Sequence, residues 1–106
     1  MIVAGIISSI FFSCAGTIPS PTEIDVQRAK LRWPGTRIQD LNDGRTFYIN
    51  RCSGCHSLHS PKRFTEQQWK KIFPEMKTRA HLKEDDSKLV YRYLLTLAKD
   101  SSNTKQ

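Results

Sequence analysis

The sequence predicts a single all-α domain of three to four helices built around a group that supplements a small core. With 106 residues, the chain has the length of one compact domain. Near its carboxyl end, apolar residues recur at three- and four-residue spacing, as in a helix that buries one face. No run of alternating β-branched residues indicates a strand. These observations favour a helical architecture.

Apolar material for the core is scarce, which predicts an additional stabilising group. Hydrophobic residues make up 38% of the chain, and nine of them lie in residues 1–13. Without that segment the remainder is small and polar, and small domains bury a low fraction of their surface on folding. Such domains usually depend on a cross-link, a metal or a comparable staple.

The amino-terminal residues 1–13 are predicted to form a signal peptide. They are uncharged and apolar, but shorter than the roughly 20 residues of a membrane-spanning helix. Cys14 follows a small residue, Ser13, in a pattern similar to the bacterial lipoprotein signal, in which the cysteine carries lipid. An ordinary cleaved signal peptide and an uncleaved short anchor are the alternatives. Lipidation of Cys14 is favoured because an exported chain with three cysteines needs a role for the odd one.

Residues 14–37 are predicted to form a lipid-attached or flexible tether and an amino-terminal extension of the domain. Residues 15–22 contain two prolines with Gly, Ser and Thr, a composition typical of an extended linker. Trp33-Pro34-Gly35 then indicates a turn. The apolar residues expected to cover an edge of the domain are Ile24, Ala29, Leu31 and Trp33.

Gly44 and Tyr48 are predicted to share one face of a helix, because they are four residues apart. The missing side chain at Gly44 would let a second helix approach closely. A turn after Asn42-Asp43 is the alternative for Gly44.

The strongest motif is Cys52-Ser53-Gly54-Cys55-His56. Two thiols three positions apart can each add to a vinyl group of haem, while the adjacent histidine coordinates the iron. This is the attachment motif of haem c. It predicts one covalent haem c, attached at Cys52 and Cys55, with His56 as an axial ligand.

Three other interpretations of the cysteine pair explain the sequence less well. A structural zinc site needs about four ligands in two clusters, and no second cluster is present. A thioredoxin-like pair would follow a strand, which the pattern does not provide. A plain disulfide remains open but gives His56 no role.

Two further helices are predicted after the motif. Thr65 with Glu66 behind it marks a helix start, and Pro74 is expected to interrupt that helix. Trp69 and either Ile72 or Phe73 are expected to face the porphyrin. The last helix begins near residues 85–87 and continues through residue 99. Its apolar stripe consists of Leu89, Val90, Tyr93, Leu94 and Leu97.

Residues 40–99 resemble the class I cytochromes c. In that family, a glycine eight residues and an aromatic four residues before the first haem cysteine lie where the amino- and carboxy-terminal helices pack together. Gly44 and Tyr48 occupy these places. The resemblance implies a small mono-haem cytochrome c of the bacterial exported type, with the cytochrome c fold over residues 38–100. Residues 101–106 are then expected to form a flexible tail.

The family supplies its second axial ligand from a methionine before the last helix. Met76 is the only methionine outside the predicted signal peptide, and it precedes Tyr93 by 17 residues, as in the family. The interval of 20 residues from His56 to Met76 is shorter than in usual members. His81 and His59 are rival ligands, and an open or water-filled sixth position is a further alternative.

The resemblance implies electron transfer rather than enzymatic catalysis. We expect an electron carrier of the bacterial periplasm or cell envelope, monomeric apart from its membrane tether, whose iron cycles between Fe(III) and Fe(II). The alternative is a haem protein with a labile sixth ligand that binds small gases or peroxide, as a sensor or weak peroxidase.

The positive charge of the chain predicts an acidic redox partner. The net charge is +7, and residues 44–83 contain nine bases against two acids. Such a field accelerates association with acidic proteins. Nucleic acid is a poor candidate partner for an exported haem protein. The basic residues that flank the predicted haem-binding elements are Arg51, Lys62, Arg63, Lys70, Lys71, Lys77, Arg79 and Lys83.

Overall fold

The computed structural model describes residues 18–52 and 58–100, and these are all-helical. Their α-helices are Glu23–Lys30 (α1), Ile38–Cys52 (α2), Glu66–Arg79 (α3) and Glu84–Thr96 (α4), and a short 3₁₀ helix, Pro61–Arg63, precedes α3. The described residues contain no strand, only an isolated parallel bridge between Thr65 and Lys99. The predicted all-α fold is confirmed. The predicted signal peptide, Cys14 and the predicted tail at residues 101–106 lie outside the described residues.

The most extensive helix pair is α2 with α4, and it crosses at Gly44. A Cβ atom at Gly44 would lie 2.8 Å from the carbonyl carbon of Leu89 and 2.9 Å from Cβ of Tyr93. These distances are shorter than van der Waals contact, so the close approach requires glycine. The predicted helix–helix contact at Gly44 is confirmed, and the alternative of a turn is not.

The main core lies between α2, α3 and α4. The predicted stripe of α4 lines it, with Leu89 half-buried and the others buried, and Leu95 adds a buried side chain that the stripe did not include. The buried members of this cluster are Tyr48, Trp69, Phe73, Val90, Tyr93, Leu94, Leu95 and Leu97. Within the two described stretches, no helix has the length and apolar character needed to cross a membrane.

Helix α3 begins as predicted but continues past its proline. A capping box at Thr65 starts it: the Thr65 hydroxyl accepts from the Gln68 amide at 3.2 Å, and the Gln68 side chain accepts from the Thr65 amide at 2.9 Å. The helix then runs through Pro74 to Arg79, so the expected interruption at Pro74 is wrong. Pro74 and Lys70 are both exposed, and the Lys70 carbonyl that loses its helical donor can instead accept from water.

Helix α1 packs on α2 through a second, smaller core. Thr22 caps the helix, and Val26 and Ala29 are buried against Leu41. Ala29 and Trp33 thus pack on the domain as expected. The expectation for the other two apolar residues is wrong: Ile24 is 71% exposed and Leu31 88% exposed, because the buried face of this short helix is narrow.

The chain just before α1 is bound to the domain by hydrogen bonds. The Arg45 guanidinium donates to the Ile18 carbonyl at 2.9 and 3.1 Å, and the Tyr93 hydroxyl donates to the Pro19 carbonyl at 2.6 Å. Ile18 is half-buried against the main core. Within the segment predicted as tether and extension, residues 18 and 19 are therefore held against the domain.

Candidate haem site

The end of α2 and the last turns of α3 meet at a cavity of about 150 Å³. Cys52 is the last residue of α2, and Met76 lies in α3 two residues beyond Pro74. Both side chains are half-buried, pack against the main core and line this cavity. The other residues that line it are Arg51, Arg79 and Ala80. The fold thus brings together a predicted attachment residue and a predicted iron ligand that are far apart in sequence.

A hydrogen bond from Tyr48 connects the chain segments that precede and follow the Cys-x-x-Cys-His motif. Cys55 and His56 lie outside the described residues, but the chain before and after them is described. The Tyr48 hydroxyl, on α2, donates a hydrogen bond to the backbone carbonyl of His59. Burial raises the pKa of Tyr48 well above its ordinary value, so the hydroxyl stays protonated and able to donate. This contact was missed in the sequence, although a buried tyrosine generally needs a hydrogen-bond partner.

Trp69 belongs to the core and does not line the cavity that Cys52 shares with Met76. Its side chain is 0% exposed, and its indole N–H donates to the Pro61 carbonyl at 2.7 Å. Its ring meets Tyr48 and Phe64 edge to face, with centroids 6.2 and 5.0 Å apart. Trp69 packs against Tyr48 in the last turns of α2, and its expected contact with the porphyrin stays a prediction.

The alternatives Ile72 and Phe73 also pack inward. Ile72 is half-buried against the main core, and the ring of Phe73 lies 5.2 Å from that of Tyr91. Neither is among the described residues that line the cavity at Cys52. The turn of α3 that reaches this cavity is the one after Pro74, because α3 continues to Arg79.

His81 lies just after α3 and is exposed. It follows the last residues of that helix in a Schellman arrangement: the Leu82 amide donates to the Lys77 carbonyl and the His81 amide to the Thr78 carbonyl, each at 3.2 Å. His81 has a φ of 54°, the left-handed conformation usually taken by glycine there. Its position is explained by the end of the helix.

His59, the other rival ligand, is also exposed. Its ring lies edge to face with Phe64, 5.5 Å between centroids. Among the described residues, neither histidine lines the cavity at Cys52, whereas Met76 does.

The described residues fit one edge of a haem group. A thiol that can add to a haem vinyl group and a thioether that can coordinate the iron line one cavity, and a thioether sulfur is a soft ligand suited to haem iron. Among the described residues, Ala80 adds further apolar surface to the lining. The basic side chains Arg51 and Arg79 lie at the rim. A haem bonded to Cys52 would hold its thioether edge beside these two charges.

Most of the basic residues that flank the site are exposed, and Lys77 is half-buried. Ion pairs join Lys70 to Glu66 at 3.4 Å, and Lys77 to Glu84 at 2.9 Å. Arg79 pairs with Glu75 at 2.9 Å, but both side chains are more than 70% exposed, so the pair is weak. The basic residues of this set that form no ion pair within the described chain are Arg51, Lys62, Arg63, Lys71 and Lys83.

Comparison with known protein families identifies the chain at the family level. The family model of the dihaem cytochromes c matches residues 48–106, which include the whole Cys52–His56 motif and Met76 and cover more than half of the chain. No curated protein and no solved structure matches the chain.

The family match corrects two predictions. The expected single haem c is wrong, because a dihaem family indicates two haem c groups. The resemblance to mono-haem class I cytochromes is correct only in the coarser sense of a c-type cytochrome. Both errors have one cause: the sequence holds one Cys-x-x-Cys-His motif, and a motif reports only the group that it attaches itself. By this match, the chain belongs to the dihaem cytochrome c family.

Proposed function

We propose that this c-type cytochrome carries electrons in the bacterial cell envelope. Cys52 and Cys55 bind one of its haem groups through thioether bonds, and His56 and Met76 are the axial ligands of that iron. The observation that supports this proposal most directly is that Cys52 and Met76 line the same cavity. The family match supports haem and iron binding.

A bound haem supplies an iron that changes between Fe(III) and Fe(II) without making or breaking bonds to a substrate. The residues of this chain would keep the surroundings of that iron the same in both oxidation states. Cys52 is fixed by α2, which Gly44 sets against α4, and Met76 is fixed by α3. Because both side chains pack on a rigid core, a change of iron charge would move them little. A thioether ligand at Met76 favours the reduced iron and raises the reduction potential.

The basic residues near the cavity favour an acidic redox partner. Arg51 and Arg79 lie beside the edge of the ring that Cys52 would hold. Lys71, on α3, and Lys83, just after it, add further exposed positive charge. A partner with carboxylates around its own cofactor would be attracted to this edge, where the distance for electron transfer is short.

The optical spectrum of Met76→Ala tests the axial ligand. In the ferric wild type we expect a charge-transfer band between the methionine sulfur and the iron, and in the ferrous form no CO adduct at this haem. Met76→Ala should lose the band and bind CO, while haem stays attached through Cys52 and Cys55. The control is Ile72→Ala, which removes a half-buried apolar side chain of α3 outside the cavity and should keep the band. An unchanged band in Met76→Ala would rule out this ligand, and rapid CO binding at this haem in the wild type would favour the gas-binding alternative.

Cell fractionation of Cys14→Ser tests the proposed attachment to the membrane. If Cys14 carries lipid, the variant should move from the membrane fraction to the soluble periplasmic fraction, because no other acyl chain would hold it. Haem content should be unchanged, which serves as the control for export and folding. Retention of Cys14→Ser in the membrane fraction would contradict lipidation at this residue.

A further inference from the structure

We propose that the surface between α1, the start of α3 and the end of α4 binds a small amphipathic anion, an oxyanion joined to an apolar body. Two adjoining cavities of about 310 and 530 Å³ lie there, and each is as large as a typical small-molecule site. Both are lined by Arg28, Glu66, Leu95 and Thr96, so they form one continuous groove. We call it the basic groove.

The charge of the basic groove selects an anion. Among the described residues, its acidic side chains are Glu66 and Asp100. Glu66 contacts Arg32 and lies 3.4 Å from Lys70, so basic partners already neutralise its charge. Positive side chains outnumber the two acids. The basic residues of the groove are Arg28, Arg32, Lys62 and Lys99.

Arg28 is placed to bind an oxyanion in the groove. Its Nη1 donates to the Thr96 carbonyl at 3.3 Å and lies 3.8 Å from a carboxylate oxygen of Asp25. A guanidinium has five N–H donors in a planar fork, and the contacts of Nη1 leave other donors for a ligand. The hydrogen bond to Thr96 fixes this fork at the junction of the two cavities.

Thr96 provides a second, independent indication of a ligand. The residue is 5% exposed and lines both cavities. Its Oγ1 is buried and has no hydrogen-bond partner among the described residues. Buried hydroxyls are normally satisfied, and one left unpaired is destabilising. An oxyanion bound by Arg28 would accept a hydrogen bond from this hydroxyl, while Leu95 beside it would contact the apolar body.

The basic groove is separate from the haem site. Among the described residues, the groove and the cavity at Cys52 share no lining residue. Glu66 of the groove and Met76 of the haem site are ten residues apart on α3, about 15 Å along the helix axis. Ligand binding in the groove should therefore leave the axial ligands of the iron unchanged.

Calorimetric titration of the haem-loaded full chain with three matched amphiphiles tests the proposal. The probes are octanoate, octanol and octylammonium, which share an apolar chain and differ in the charge of the head group. Octanoate should bind at one site at least tenfold more tightly than the other two, without change in the haem spectrum. Equal affinity for all three would overturn the proposal, as would a haem spectrum that titrates with octanoate, because the anion would then bind at a haem iron.

Three variants assign the binding to the groove. Arg28→Gln should weaken octanoate binding about tenfold. Lys71→Gln, which removes the same charge from an exposed site outside the groove, should not. Thr96→Val should raise the melting temperature, because it removes an unpaired hydroxyl, and yet weaken octanoate binding severalfold. A higher melting temperature together with weaker octanoate binding would not arise if Thr96 had only a structural role.

If Arg28→Gln does not fold, Lys62→Gln replaces it. Equal losses in Lys71→Gln and the groove variant would overturn the proposal, and so would unchanged affinity in both groove variants.

Discussion

His81 adopts a backbone conformation that glycine would adopt at lower cost. Its φ of 54° follows from the hydrogen bonds that end α3, in which the Leu82 amide reaches back to Lys77. A residue with a Cβ loses about 1–2 kcal/mol in this left-handed region, although histidine tolerates it better than most. We therefore expect His81→Gly to raise the free energy of unfolding by about 1 kcal/mol, measured by denaturant titration.

His81→Ala is the matched control, because it removes the imidazole but keeps the Cβ. It should give no gain in stability. Both variants should keep the spectrum of the ferric wild type, since Met76 rather than His81 lines the cavity at Cys52. A stability gain in His81→Ala equal to that in His81→Gly would show that the imidazole, rather than backbone strain, is unfavourable.

Single residues also show where prediction from the sequence ends. The chemistry of Cys52 and Met76 follows from their residue types and spacing, and the structure then places them at one cavity. The role of Trp69 does not follow in this way. Periodicity indicates that its ring is buried, but only the folded chain shows that Pro61, in a separate 3₁₀ helix, accepts its indole N–H at 2.7 Å. A polar partner in a neighbouring element leaves no periodic pattern in the sequence, even when it is only eight residues away.

At the level of elements, the crossing of α2 and α4 depends on Gly44. Gly44→Ala would place a Cβ against the backbone of Leu89, which cannot rotate away as a side chain could. Alanine is favoured over glycine in a helix by about 1 kcal/mol, but the overlap should outweigh this gain. We expect the free energy of unfolding to fall by about 2 kcal/mol, measured by circular dichroism in denaturant.

Gly35→Ala is the matched control for this prediction. A Cβ at Gly35 would meet no atom within 4 Å, so its stability should change by about 0.5 kcal/mol or less. Equal losses in the two variants would show that the cost comes from glycine replacement in general. A stable Gly44→Ala would show that α4 can shift away from α2.

Elements were predicted well where the determinants are local. The Thr65 cap and the apolar stripe of α4 are short-range patterns, and both helices form there, although α4 ends at Thr96 and the expected end at residue 99 is wrong. The effect of Pro74 on α3 could not be predicted from the sequence, because it depends on exposure. On a buried face the lost backbone hydrogen bond would have been costly, but Pro74 lies on the exposed face of α3. Similarly, the residues that α1 buries are Val26 and Ala29, because these are the ones that contact Leu41 of α2.

For the whole molecule, the sequence correctly indicated a c-type cytochrome but not its haem count. The described part of the chain has two hydrophobic cores: the larger one supports the site at Cys52, and the smaller one attaches α1. The hydrogen bonds from Arg45 and Tyr93 add residues 18 and 19 to the same body. Because α1 is held in place, the basic groove has fixed walls, and the positive charge is divided between that groove and the rim of the haem site.

The rate of oxidation of the ferrous protein by ferricyanide tests whether charge at that rim directs electron transfer. A trivalent anion about 10 Å from a single charge in water interacts by about 1 kcal/mol, so Arg51→Gln should slow the reaction about fivefold at low ionic strength. Lys30→Gln, which removes an equal charge from the exposed face of α1, should slow it much less, because Lys30 does not line the haem cavity. At about 1 M salt the Debye length falls to about 3 Å, and the variants should react at the same rate as the wild type. Equal slowing by both substitutions would mean that net charge alone, rather than its position at Arg51, controls the approach of an anionic partner.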